Sequence, residues 1–82
     1  MQGRVVHKGS GAPVDGATIV VVRGAGRMAD IAQLTNAEGC FTLHGLAEGD
    51  WVLAAYGSGG EQGTGEARVR PGLAAQIIIQ IA

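Results

Sequence analysis

Hydrophobic and polar residues alternate along much of this chain with a period of two, which is typical of β-strands. In residues 73–81, for example, three isoleucines share one parity and two glutamines share the other. Residues 17–23 contain a run of β-branched side chains, which favour strands over helices. The pattern therefore predicts a protein built from strands.

Glycine, proline and asparagine mark turns between these segments. We predict seven short strands, at residues 2–7, 17–23, 28–34, 40–44, 51–56, 66–69 or 66–70, and 73–81. The third segment also has some propensity for a helical turn, but a strand suits its neighbours better. Residues 57–65 are dense in glycine, and we predict a mobile loop there.

Seven strands with frequent turns and no convincing helix predict one all-β domain over residues 1–82. The expected architecture is a seven-stranded antiparallel Greek-key β-sandwich, of the same general kind as immunoglobulin-like sandwiches. Its core is predicted to contain the large apolar residues of inward parity. These are Val5, Ile19, Val21, Phe41, Leu43, Trp51, Leu53, Val69, Ile77 and Ile79.

A second group of apolar residues has the opposite parity. The group consists of Val6, Val20, Val22, Val52, Tyr56 and Ile78. Isolated antiparallel sandwiches usually place polar residues at such outward positions. If several of the six lie on one sheet, they predict an interface with a neighbouring domain, another copy or a cargo protein. The alternative is that they are scattered singly over the surface, as is common.

Composition excludes several functions. Six basic and seven acidic residues are scattered without runs, which argues against nucleic-acid binding. The apolar runs are too short to insert into a membrane, and residues 1–15 contain no signal-peptide core. The compartment is thus left open: the chain is either intracellular or a piece of a longer exported protein. Cys40 is the only cysteine, and we interpret it as a small apolar filler rather than a reactive thiol.

Four segments resemble a known family. They are GRVV at residues 3–6, GAPVDGATI at 11–19, TNAEGCFTL at 35–43 and GLAEGDWVL at 45–53. They are similar to the carboxypeptidase regulatory-like domain, a transthyretin-like or prealbumin-like β-sandwich. The resemblance implies a non-catalytic module attached to peptidases, surface proteins, outer-membrane receptors or secretion-system components. The matching residues are glycines, turn formers and apolar residues, so no catalytic role is carried over.

We therefore expect a structural or protein-interaction module, with no enzyme activity, cofactor, catalytic residue or metal site. One alternative is an adaptor or appendage of a secretion or spike apparatus that holds a partner protein through an edge strand. Another is a carbohydrate-binding accessory domain, for which Tyr56 is the remaining aromatic candidate.

An enzyme alternative exists within the same superfold. Hydroxyisourate hydrolases use histidines, an arginine and a Tyr-Arg-Gly-Ser ending. His7 lies on the first predicted strand, but residues 77–82 lack that ending. No cysteine or glutamate lies within three residues of His7 or His44, so they do not predict a metal site.

Overall fold

The computed structural model describes residues 1–24, 33–44, 47–72 and 75–82. These residues form seven strands: β1 (Gln2–His7), β2 (Thr18–Arg23), β3 (Gln33–Leu34), β4 (Cys40–Thr42), β5 (Gly49–Tyr56), β6 (Gln62–Val69) and β7 (Gln76–Ile81). Most of the predicted third strand, and the beginning of the predicted seventh, lie outside the described residues. In the described part of the chain, we find no helix with the length and apolar character needed to cross a membrane.

The strands form two sheets that pack as a sandwich, which confirms the predicted all-β fold. One sheet has the order β4-β1-β7 and the other the order β3-β2-β5-β6. The prediction of a wholly antiparallel arrangement was wrong, because β1 and β7 run parallel over six residue pairs. Side chains alternate with a period of two in both kinds of pairing, so the sequence pattern carries no sign of strand direction.

The core lies between the two sheets. Eight of the predicted core residues are buried: Val5, Ile19, Phe41, Leu43, Trp51, Leu53, Ile77 and Ile79. The other two, Val21 and Val69, are half-buried. Four further residues complete the core, namely Val14, Ala17, Ala55 and Ile81.

Val6 is buried, although its parity predicted an outward position. It forms an isolated bridge with Pro13, and the Val14 N–H donates to the carbonyl oxygen of Val5 at 3.0 Å. The connection after β1 therefore folds back beside the strand. Two consecutive residues of β1 are covered as a result, one by the core and one by this connection.

The predicted loop at residues 57–65 was wrong in its second half, because β6 begins at Gln62. A side chain at Gly63 would overlap the backbone oxygen of Gln80, and a Cβ at Gly65 would lie 2.9 Å from the Ile77 side chain. The two glycines therefore let β6 approach the opposite sheet closely. At this end, Gln62 and Ala82 exchange two backbone hydrogen bonds of 3.3 Å each, which join the sheets.

Candidate interaction face

The outer surface of the four-stranded sheet carries apolar side chains across three strands. Thr18 pairs with Leu34 on one side and with Tyr56 on the other, so these three residues form a row. Leu34 is 66% exposed and Tyr56 is 45% exposed. In the next row, the half-buried Val20 pairs with the buried Ala54. The apolar character thus extends over neighbouring rows.

An irregularity in β2 extends this surface. The register shifts between Val21 and Arg23, so that Arg23 pairs with Val52 and Val22 is an additional residue. Such a bulge re-aims side chains locally. Here Val22 is 59% exposed. We name this outer surface the apolar face, and it consists of Val20, Val22, Leu34, Val52, Ala54 and Tyr56.

The six residues proposed from the sequence as an interaction surface do not form one face. Val20, Val22, Val52 and Tyr56 lie on the four-stranded sheet, whereas Val6 and Ile78 lie on the other sheet. Parity alone cannot show which sheet a strand joins, so it could not separate the two groups. Leu34 was not among the six residues of that prediction.

The outer surface of the three-stranded sheet is mostly polar. Its register places Arg4 between Cys40 and Ile78, with polar residues in the neighbouring rows. The outward residues are Gln2, Arg4, Cys40, Thr42, Gln76, Ile78 and Gln80. Ile78 is 68% exposed and stands among polar neighbours. Cys40 is also exposed, so our interpretation of it as a small apolar filler was wrong.

Charged residues border the apolar face on the β6 side. Asp50 and Arg68 are directly opposite each other on β5 and β6. The Arg68 Nε donates to an Asp50 carboxylate oxygen at 2.7 Å, and this hydrogen bond lowers the pKa of the Asp50 carboxyl. The same contact raises the pKa of the Arg68 guanidinium. Both side chains are exposed, so the pair defines a polar border rather than adding much stability.

The aromatic residues offer little surface for sugar stacking. Phe41 and Trp51 are buried, and the Trp51 indole N–H donates to the carbonyl oxygen of Ala47 at 2.8 Å. Tyr56 is therefore the one exposed ring of the three in the chain. Carbohydrate binding usually needs a flat, exposed aromatic surface, and Tyr56 is the single residue that offers one for the carbohydrate-binding alternative.

The two histidines are separate in the fold. His7 is half-buried at the end of β1, and His44 is exposed after β4. Within residues 1–24, 33–44, 47–72 and 75–82, no three histidine, cysteine or acidic side chains are grouped as metal ligands. Four of the six residues proposed from the sequence thus share the apolar face, and Val6 and Ile78 do not.

Comparison with known proteins identifies the family. A family model described as carboxypeptidase regulatory-like domain matches residues 1–82. Comparisons with curated proteins and with solved structures gave no significant match. The domains of the matched family are β-sandwiches and non-catalytic accessory domains, in agreement with the two-sheet fold. The chain belongs to the carboxypeptidase regulatory-like domain family.

Proposed function

We propose that this accessory domain binds a partner protein through the apolar face. The contrast between the two outer surfaces carries the proposal. Apolar residues occupy adjacent rows on the four-stranded sheet, whereas Ile78 is surrounded by polar residues on the other sheet. An outward sheet surface of an isolated sandwich is normally polar, so an apolar one favours a covering partner.

The exposed members of the apolar face suit a protein interface. Val22, Leu34 and Tyr56 retain about half or more of their surface in water. Covering each of them would contribute on the order of 1–2 kcal/mol. Tyr56 also brings a hydroxyl group to this surface, and tyrosine is enriched among the residues that dominate binding energy. We expect a partner with a flat apolar surface and polar groups that meet Asp50 and Arg68.

A site-specific photocrosslinker tests this proposal. Benzoylphenylalanine replaces Tyr56 in one variant and the exposed Ile78 in a matched control, each expressed from the native gene in the native host. We expect strong crosslinking to protein from position 56 and little from position 78. Adding Val22→Glu to the first variant should abolish the crosslink while leaving the urea unfolding midpoint nearly unchanged.

The crosslinked product identifies the kind of partner. A crosslink within one polypeptide indicates a neighbouring domain, and a larger adduct indicates a separate protein, including a component of a surface or secretion assembly. Equal crosslinking from positions 56 and 78, or none from position 56, would contradict the proposed role of the apolar face.

A further inference from the structure

Strand β6 is an edge of the four-stranded sheet. The Gly57 N–H donates to the Glu61 carbonyl oxygen at 2.8 Å. This bond shows which opposite residues of β5 and β6 form hydrogen-bonded pairs. Hydrogen-bonded and non-hydrogen-bonded pairs alternate in antiparallel strands, so the even-numbered residues of β6 direct their backbone groups away from β5. Gln62 follows this rule, because its N–H and carbonyl oxygen both bond to Ala82 instead.

The remainder of this edge is available for pairing. Three even-numbered residues have no backbone hydrogen-bond partner within the described part of the chain: Thr64, Glu66 and Arg68. The available stretch is bounded by Gln62, which is occupied, and by the turn that begins at Pro71. It therefore covers residues 64–70, with Ala67 at its centre.

We propose that β6 pairs antiparallel with β6 of a second copy of this chain, about a twofold axis at Ala67. In this register Glu66 of each copy lies opposite Arg68 of the other, and Thr64 lies opposite Arg70. All seven available residues are used. This pairing concerns the sheet edge and does not depend on the proposed function of the apolar face.

The charges of β6 select this register. Moving the axis by one residue places either Glu66 opposite itself or Arg68 opposite itself, and like charges directly opposite each other are destabilising. With the axis at Ala67, Arg68 lies between its own Asp50 and the Glu66 of the other copy, so negative and positive groups alternate along the row.

The shape of β6 also permits the pairing. Its eight residues pair with β5 without a bulge or a proline, which are devices that commonly protect an exposed edge. The inward residue at the axis is the small Ala67, so no bulky side chain meets its own copy there. The opposite charges of Glu66 and Arg68 thus complement a second β6.

Disulfide crosslinking tests the register. The exposed Cys40 is first replaced by serine, and Ala67→Cys is then introduced. Residue 67 forms a non-hydrogen-bonded pair with itself, in which the Cα atoms are about 4.5 Å apart, within the range of a disulfide. We expect efficient dimer formation under mild oxidation at micromolar concentration. The matched control is Glu66→Cys, which lies opposite residue 68 and should crosslink poorly. Absence of crosslinking at 67, or equal crosslinking at 66, overturns the proposal.

Charge reversal tests the recognition independently. Sedimentation equilibrium of the unmodified chain should show a reversible dimer. Glu66→Arg and Arg68→Glu should each raise the dimer Kd about tenfold or more, because each creates two like-charge pairs. An equimolar mixture of these two variants should form a heterodimer, since opposite charges again face each other.

Circular dichroism and urea unfolding of the two variants show whether each monomer remains folded. The apolar-face variant Val22→Glu should leave the dimer Kd unchanged, which separates this proposal from the proposed function. Weak protein pairs are populated at about 100 μM, so an unmodified chain that is strictly monomeric at this concentration overturns the pairing. Failure of the two folded variants to associate with each other also overturns it.

Discussion

The close approach of β6 and β7 predicts an unusual response to Gly63→Ala. Gly63 does not have a positive φ, so alanine is compatible with its local backbone conformation. In an open loop, such a substitution typically stabilises a protein by about 0.4–1 kcal/mol, because it restricts the unfolded chain. In the folded domain, however, the added methyl group would overlap the backbone oxygen of Gln80 and crowd Ile81. One of the two strands must therefore move.

The size of the effect follows from two contributions. Overpacking typically costs about 1–3 kcal/mol, and the nearby hydrogen bonds between Gln62 and Ala82 contribute roughly 0.5–1.5 kcal/mol each. We expect a net loss of about 2–4 kcal/mol if these hydrogen bonds weaken as the strands separate. A chain of this length has a free energy of unfolding of only about 4–12 kcal/mol. The substitution would therefore remove a large share of the stability.

Urea unfolding followed by Trp51 fluorescence measures this loss. For a small domain, it corresponds to a decrease of roughly 1–3 M in the urea midpoint. The matched control is Thr64→Ala on the outward side of the same strand, which should change the free energy of unfolding by no more than about 0.5 kcal/mol. A midpoint for Gly63→Ala equal to or above that of the unmodified chain would refute the close packing of β6 on β7.

Three further predictions concern other parts of the fold. Thr35→Val should destabilise the domain by about 2–4 kcal/mol, because the buried hydroxyl accepts from the Ala17 N–H at 2.9 Å and donates to the Val14 carbonyl oxygen at 2.6 Å. Thr35→Ser should retain most of the stability, and equal urea midpoints for the two variants would contradict this role. Phe41→Ala should cost about 3–5 kcal/mol and lower the melting temperature by more than about 10 °C, whereas an unchanged melting temperature would exclude Phe41 from the core. Arg68→Ala should raise the pKa of Asp50 toward its ordinary value, as measured by carboxyl NMR. Because the pKa of Asp50 is lowered in the folded state, the small stabilisation from this pair is present above the ordinary pKa of the carboxyl and is lost as the pH falls through the lowered pKa. An unchanged Asp50 titration in Arg68→Ala would contradict the contact.

The alternation of apolar residues was sufficient to predict the sandwich and most of its core. Phe41, Leu43, Trp51 and Leu53 are buried as their parity indicated. Alternation works for these residues because each strand packs one side against the other sheet. Ile81 also has the parity of Ile77 and Ile79 on the closing strand, and all three belong to the core.

Glycine was the main source of error in the strand assignment. Gly63 and Gly65 lie in a segment that also contains turn glycines, so the whole segment resembled a loop. Their role depends on how near the backbone of β7 comes, which is a tertiary property. The alternation of Gln62, Thr64 and Glu66 with small residues was the available signal, but it contains no large apolar residue.

The interaction surface was only partly predictable. Parity indicated outward positions for Val22, Tyr56 and Ile78, and all three are exposed. It could not place Ile78 on the opposite sheet, because sheet membership depends on long-range pairing. The predicted outward position of Val6 was wrong for a related reason, because Pro13 lies beside it after the chain turns back. These features depend on contacts between distant residues rather than on local pattern.

Radical footprinting most directly tests the central claim that a partner protein covers the apolar face. Hydroxyl-radical oxidation is compared between the isolated domain and the native assembly isolated from its host, with Tyr56 as the reporter and Ile78 as the control. Both side chains are exposed in the domain alone. We predict that Tyr56 is strongly protected in the native assembly while Ile78 remains reactive. Unchanged oxidation of Tyr56, or equal protection of both residues, would contradict the assignment of this face to partner binding.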